Sequence, residues 1–340
     1  MAWLSITLLS GCGSARYYWQ AASGHMTLMS RREPIRSLVD SPTIDSQLRS
    51  NLVLVLELRD FAQHRLGLPA GRHYTKYADI HRPCAVWNVS AAPEFSLEAS
   101  TWWYPFAGRL KYRGFFAKSD AAQFARKLRE QGLDVSMGCV DAYSTLGFFP
   151  DPVLNTFIDR EPAELAELLF HELAHQRVFV AGDTDFNEAM ATAVGQIGAR
   201  LWLGESGRRS LLSAYELALE KERRFVGMVQ QTRKELETVY AATESLPLEA
   251  RRSAKLSVLA RLIKMHEDAR ADWGGSSPYD AWFAIPLNNA HLNSVATYYD
   301  LVPAFESLFN GSGRQWEQFF DRVRELQKLS KKERHARLVR

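Results

Sequence analysis

Between Tyr17 and Gln63 apolar residues recur at helical intervals, with Pro34 and Pro42 as the strong interruptions. The spacing predicts helices there, the second beginning near Ser46 and running through NLVLVLELRDFAQ. From Cys84 to Phe116 the rhythm changes: the chain becomes rich in aromatic and β-branched residues broken by Pro and Gly, which predicts a small sheet with short connections. A helix is expected over about 119–131, a strand over 134–139 and an extended stretch over 142–150.

Helical spacing returns in PAELAELLFHELAHQRVFV, where Pro162 suits a first turn and Leu165, Leu168, Leu169 and Leu173 form the apolar side of a helix expected over about 162–180. After AGDTD, the segment FNEAMATAVGQIGARLWL predicts a second helix with Asp185 as its N-cap. Two long charged, amphipathic stretches over 208–243 and 247–272, separated by ESLP, predict an antiparallel helical hairpin. A loop over 274–280 and a final helix from about Ser312 complete the chain. The expected fold class is α+β and mostly helical, with a small sheet beside the central helix pair and a long C-terminal helical hairpin. The expected division is a leader over 1–11, a helical segment over 12–80, the sheet and central helices over 81–204, and a helical domain over 205–340.

A chain of 340 residues, 46% hydrophobic and 24% charged, buries a full core, so disorder is not expected. A net charge of +3, with no clustering of basic and aromatic residues, points away from nucleic acid as a partner. The opening run MAWLSITLLSG is too short to cross a bilayer and leads directly into Cys12. Leu9-Ser10-Gly11-Cys12 resembles a bacterial lipobox, although no Lys or Arg precedes the apolar run. The resemblance implies a lipid on Cys12 as the membrane anchor; Gly13, by analogy with sorting in Gram-negative lipoproteins, implies the outer membrane, facing the periplasm. Cys84 and Cys139 allow one optional disulfide in an oxidising compartment.

The candidate chemistry sits in HELAH. His171 and His175, four residues apart on one helix face, bring two imidazoles to one cation. Glu172 between them is placed to accept a proton from a metal-bound water without becoming a ligand, the role of a general base. Catalytic zinc takes three protein ligands, and an antiparallel second helix would bring Glu188, in its first turn, beside His175, with Ala191 small enough for close packing. Asp183 and Asp185 lie near and suit a helix cap or a hold on the outer nitrogen of a histidine.

HELAHQ followed by FNEAMA resembles the gluzincin arrangement, H-E-x-x-H on one helix and N-E-x-x-A on the next. The chain also resembles the bacterial lipoproteins known as predicted aminopeptidases, through YRGFF at 112–116, DAYSTLGFFPDP at 141–152, HELAHQ, FNEAMAT, PLNNAHL and VPAF. The resemblance implies a gluzincin-like zinc metallopeptidase acting on a peptide or protein substrate, with Zn2+ on His171, His175 and Glu188. It also implies a substrate-pairing edge at Tyr143, Ser144, Thr145, Leu146 and Gly147. For the oxyanion donor the candidates are Tyr299 first, Tyr298 second, and His291; Arg113 is a candidate for a substrate carboxylate. No G-x-M-E-N-like segment offers an anchor for a free α-amine, so endopeptidase action stays open. Two alternatives also stand: a non-catalytic envelope scaffold with structural zinc, and an amidase acting on cell-wall peptides.

Overall fold

The computed structural model describes residues 7–104, 108–142 and 149–339, with side chains from Tyr17 onward. In chain order, α1 (Thr7–Ser30) precedes β1 (Glu33–Pro34), α2 (Ile35–Val39) and α3 (Ser46–Arg65). The start of α3 follows from local chemistry: the Asp45 carboxylate accepts the backbone N–H of Gln47 and Leu48 at 2.9 and 3.0 Å, satisfying two orphan donors. Strands β2 (Lys76–Ala78), β3 (Val86–Pro93), β4 (Trp102–Tyr104), β5 (Gly108–Leu110) and β6 (Arg113–Phe115) follow, then α4 (Lys118–Glu130), β7 (Leu133–Val140) and β8 (Val153–Leu154).

The sheet expected from the aromatic segment forms as an antiparallel trio in the order β6-β3-β7, with Trp87 opposite Phe115 and Val89 opposite Met137. Its inner face buries Val89, Phe115 and Val135 against Ala121, Ala125 and Leu128 of α4. Cys84 and Cys139 form a disulfide across the end of this sheet, with Cα atoms 5.5 Å apart. Strands β4 and β5 make a separate hairpin. A third small sheet, in the order β1-β2-β8, was not expected; its strands are two or three residues long, too short for any alternation to register.

The remainder is helical: α5 (Pro162–Arg177), α6 (Thr184–Glu205), α7 (Arg209–Ala242), α8 (Leu248–Asp272), α9 (Asp280–Phe283), α10 (Asn289–Tyr299), α11 (Val302–Gly311), α12 (Trp316–Gln327) and α13 (Lys331–Leu338). The hairpin is α7 and α8, which share an apolar seam of Phe225, Val229, Leu236, Val258 and Leu262 with Leu292 of α10. The largest core wraps α5 and α6: Leu52 and Leu58 of α3, Phe170 and Leu173 of α5, Phe186, Val194 and Trp202 of α6, and Phe305, Phe319 and Phe320 of the C-terminal helices are all buried within it. The C-terminal segment is α12 plus the short α13, because Ser330 opens a new helix with a reciprocal capping box to Glu333. Among the described residues, no helix is long and apolar enough to cross a membrane.

Candidate metal centre and the cavity beside it

Helices α5 and α6 lie tightly together because α6 presents small residues to its neighbour. A Cβ added at Gly195 would stand 2.7 Å from the carbonyl oxygen of Glu167, and one at Gly198 would stand 2.8 Å from the Phe170 ring. Ala191, one turn before Gly195, is fully buried. The connection between the helices is pinned by Asn187, whose side chain accepts from the Val180 N–H and donates to the Val180 carbonyl, both at 2.8 Å. The sequence motif contains Asn187, but periodicity assigned it no task. Helix α5 stops at Arg177 rather than near residue 180, since Val178 turns extended and the chain passes through Gly182 at φ +79°.

This packing brings three ligand-type atoms together. His171 Nε2 and His175 Nε2 are 3.2 Å apart, and Glu188 Oε2 lies 3.3 Å from the first and 3.5 Å from the second. In a tetrahedron with bonds of ~2.0–2.1 Å the ligand atoms are separated by ~3.3–3.4 Å, so the triangle has the size that zinc requires. All three side chains line one wall of a cavity of about 1300 Å³ and leave a side open, as a catalytic site needs and a closed structural site does not. The electrostatics are those of a coupled anion and imidazoles. Burial raises the Glu188 carboxyl, but His175 and His171 beside it outweigh burial and hold it at about 2. Burial lowers His175, and Glu188 more than reverses that, leaving it raised. Thr192 Oγ1 sits 3.4 Å from the outer nitrogen of His171, while the outer nitrogen of His175 has no hydrogen-bond partner among the described residues.

Glu172 also lines the cavity, and its carboxyl is raised by burial, an effect that His171 and His175 offset only in part. Tyr112 and Tyr298 face the same triad. The Tyr298 hydroxyl is raised by the Glu188 charge and by burial, and Tyr112 by burial and by Glu188 and Glu172, so both hold their protons at neutral pH and can donate them. Tyr112 lies inside YRGFF but was not among the expected donors.

Several expected residues lie elsewhere. Tyr299 donates to Glu222 at 2.8 Å, which commits its hydroxyl away from the triad and leaves Tyr298 the nearer of the adjacent pair. His291 is buried between Ser136 and the Trp282 carbonyl and does not line the cavity. Arg113 stacks its guanidinium 3.8 Å from the Tyr17 ring centroid of α1 and 5.2 Å from that of Phe124 of α4, on the helix-covered face of the sheet rather than toward the cavity, because side chains alternate along the chain and Tyr112 and Gly114 take the cavity face. Asp183, not Asp185, occupies the N-cap position of α6, and it caps no backbone donor: its carboxylate meets His335 at 2.9 Å and Lys331 and Arg334 at 3.4 Å, tying α13 to the start of α6. Asp185 pairs with Lys111 at 2.5 Å, so the two aspartates are engaged with Lys111 and with α13 rather than with His171 or His175. The substrate-pairing stretch from Tyr143 to Gly147 lies outside the described residues. So does the side chain of Cys12.

A family model described as "Putative aminopeptidase" matches residues 16–338. No curated protein matches the chain, and no solved structure matches it.

Proposed function

Taking as premise that the chain belongs to this aminopeptidase family, which implies a peptidase, we propose that it hydrolyses peptide bonds with zinc held by His171, His175 and Glu188. One observation carries the reading: two imidazole nitrogens and one carboxylate oxygen form a triangle of zinc size on the open wall of a cavity. Zinc, when bound, supplies a Lewis acid that polarises a carbonyl oxygen and makes water more acidic. The protein's own groups do the rest. Glu172 takes the proton of the attacking water at its carboxylate and later delivers it to the leaving amine. Tyr298 donates its hydroxyl proton as a hydrogen bond to the oxyanion, with Tyr112 on the same face. The buried α5–α6 pair holds Glu172 and the three ligand residues rigid, and Tyr298 comes from α10, so reorganisation during reaction is small.

The test is zinc stoichiometry measured alongside turnover on a peptide library, for the parent protein and for Glu172→Gln. Bound zinc with cleavage that disappears in the variant supports the reading. Bound zinc without any cleavage by the parent protein would sink it and favour a scaffold. For location, the lipid anchor at Cys12 remains the proposal, with the envelope as its site. Loss of fatty-acid labelling and of membrane association in Cys12→Ser is the expected result, and unchanged association would reject the anchor.

A further inference from the structure

Helix α7 meets the metal-binding helices through polar contacts that take no part in the proposed chemistry. Tyr215 of α7 donates its hydroxyl to Glu167 of α5, one turn before His171, at 2.6 Å. Two turns further along α7, Glu222 accepts from two helices at once: the Gln196 amide of α6 at 2.6 Å and the Tyr299 hydroxyl of α10 at 2.8 Å, one on each carboxylate oxygen. Gln196 is buried and follows Gly195, where an added Cβ would stand 3.3 Å from that of His171. Tyr299 follows Tyr298, whose ring lies over the His171 imidazole with centroids 6.5 Å apart and planes at 28°. One carboxylate therefore ties the helix that carries Glu188 to the helix that carries Tyr298. A second tie from α7 to α10, Gln230 and Arg233 on Asp300 at 2.9 and 3.1 Å, is exposed and joins those two helices only.

We infer that Glu222 is a positioning residue for the hydrolysis: by bridging Gln196 and Tyr299 it sets how α10 stands against α6, and so holds the Tyr298 hydroxyl at the ligand triad. The inference rests on the peptidase reading and on Tyr298 as its oxyanion donor. Adjacent residues of a helix point about 100° apart, so fixing Tyr299 on Glu222 fixes the rotation of α10 and with it the direction of Tyr298. A carboxylate suits the place because it presents two acceptor oxygens to two donors. Hydrogen bonds between such covered groups keep their geometry, since breaking one leaves a polar group unsatisfied. An oxyanion donor is effective only where the developing charge will sit, so a small rotation of α10 removes most of its effect.

The experiment compares Glu222→Leu, Glu222→Gln and Tyr299→Phe, each alone and combined with Tyr298→Phe, by kcat, KM and zinc affinity. In parallel, meta-fluorotyrosine is placed at position 298 and its fluorine NMR signal is followed in protein loaded with Co2+, whose broadening of the signal falls steeply with distance. Glu222→Leu and Tyr299→Phe are expected to lower kcat by about ten- to hundred-fold with KM and zinc affinity kept, to add nothing to the loss in Tyr298→Phe, and to weaken the broadening. Glu222→Gln, which offers an acceptor to Gln196 and a donor to Tyr299, recovers most of the loss. Tyr299→Phe removes only a hydroxyl, so the test stands even where Glu222→Leu does not fold. Losses that multiply with that of Tyr298→Phe, or broadening unchanged in the single variants, overturn the inference. The fluorine signal needs no turnover: broadening that depends on Glu222 in a protein that cleaves no peptide leaves the brace standing and defeats the hydrolase, whereas peptide cleavage with broadening indifferent to Glu222 does the reverse.

Discussion

Helix pairs α5–α6 and α7–α8 solve opposite problems. In α6, 15 of 22 residues are buried, and small residues face α5. In α7, 9 of 34 are buried, along one stripe, and the charged residues lie outside it. The first pair uses its surface to fix two imidazole nitrogens and a carboxylate oxygen to within a few tenths of an ångström of a common separation; the second covers part of the cavity and brings Glu222 to it. A helix enclosed on all sides tolerates little change, and a one-sided helix tolerates much.

The largest expected effect is chemical. Glu172→Gln lowers kcat by about a thousand-fold while zinc content is unchanged, since only the proton acceptor is lost; turnover and metal analysis on the same sample check both halves. Next, Glu188→Gln weakens zinc binding by about a hundred-fold or more, read by competition with a chelator, because the anionic ligand beside both imidazoles is removed. Retention of parent affinity would remove Glu188 from the ligand set.

Gly195→Ala sharpens the contrast on packing. Its methyl group meets backbone at 2.7 Å, so the helices must part, at a cost of about 2 kcal/mol in denaturant unfolding and with weaker zinc binding. The pH dependence is smaller. Glu167, raised in the folded protein to about 7, contributes stability that is complete below its ordinary value of 4.5 and is lost as pH rises toward 7. Glu188, held at about 2 without metal, contributes stability present above 4.5 and lost as pH falls toward 2. Melting temperatures of metal-free protein should therefore peak near pH ~5, and Glu167→Gln should flatten the decline on the alkaline side, an effect on the order of 1 kcal/mol after screening. Least of all, Arg261→Ala removes an exposed pair with Glu235 across the hairpin and shifts stability by less than about 0.5 kcal/mol. A loss comparable with Gly195→Ala would erase the distinction between the two pairs.

The two pairs were also legible in different ways. The hairpin announced itself through a stripe, and its observed ends fall within a residue or so of those expected from spacing. Helix α6 has no stripe, since it is buried around most of its circumference; it was found through turn residues before it and through the Glu188 motif. The expected cap at Asp185 missed because caps and ion pairs compete for the same carboxylates. Asp185 was taken by Lys111, far away in sequence, and Asp183 by cations of α13.

By itself the sequence determined what is local: helix positions, the H-E-x-x-H pair four residues apart, and the chemistry those side chains carry, because spacing of 3.6 residues places i and i+4 together without help from the rest of the chain. Tertiary structure alone decided which of two adjacent tyrosines faces the triad, that Tyr112 joins it, that Arg113 turns toward Tyr17 and Phe124, and that Glu222, 55 residues on from Glu167, lines the same cavity. Those outcomes depend on how helices are rotated and packed against one another, and rotation is set by contacts between residues remote in sequence, which no local pattern encodes.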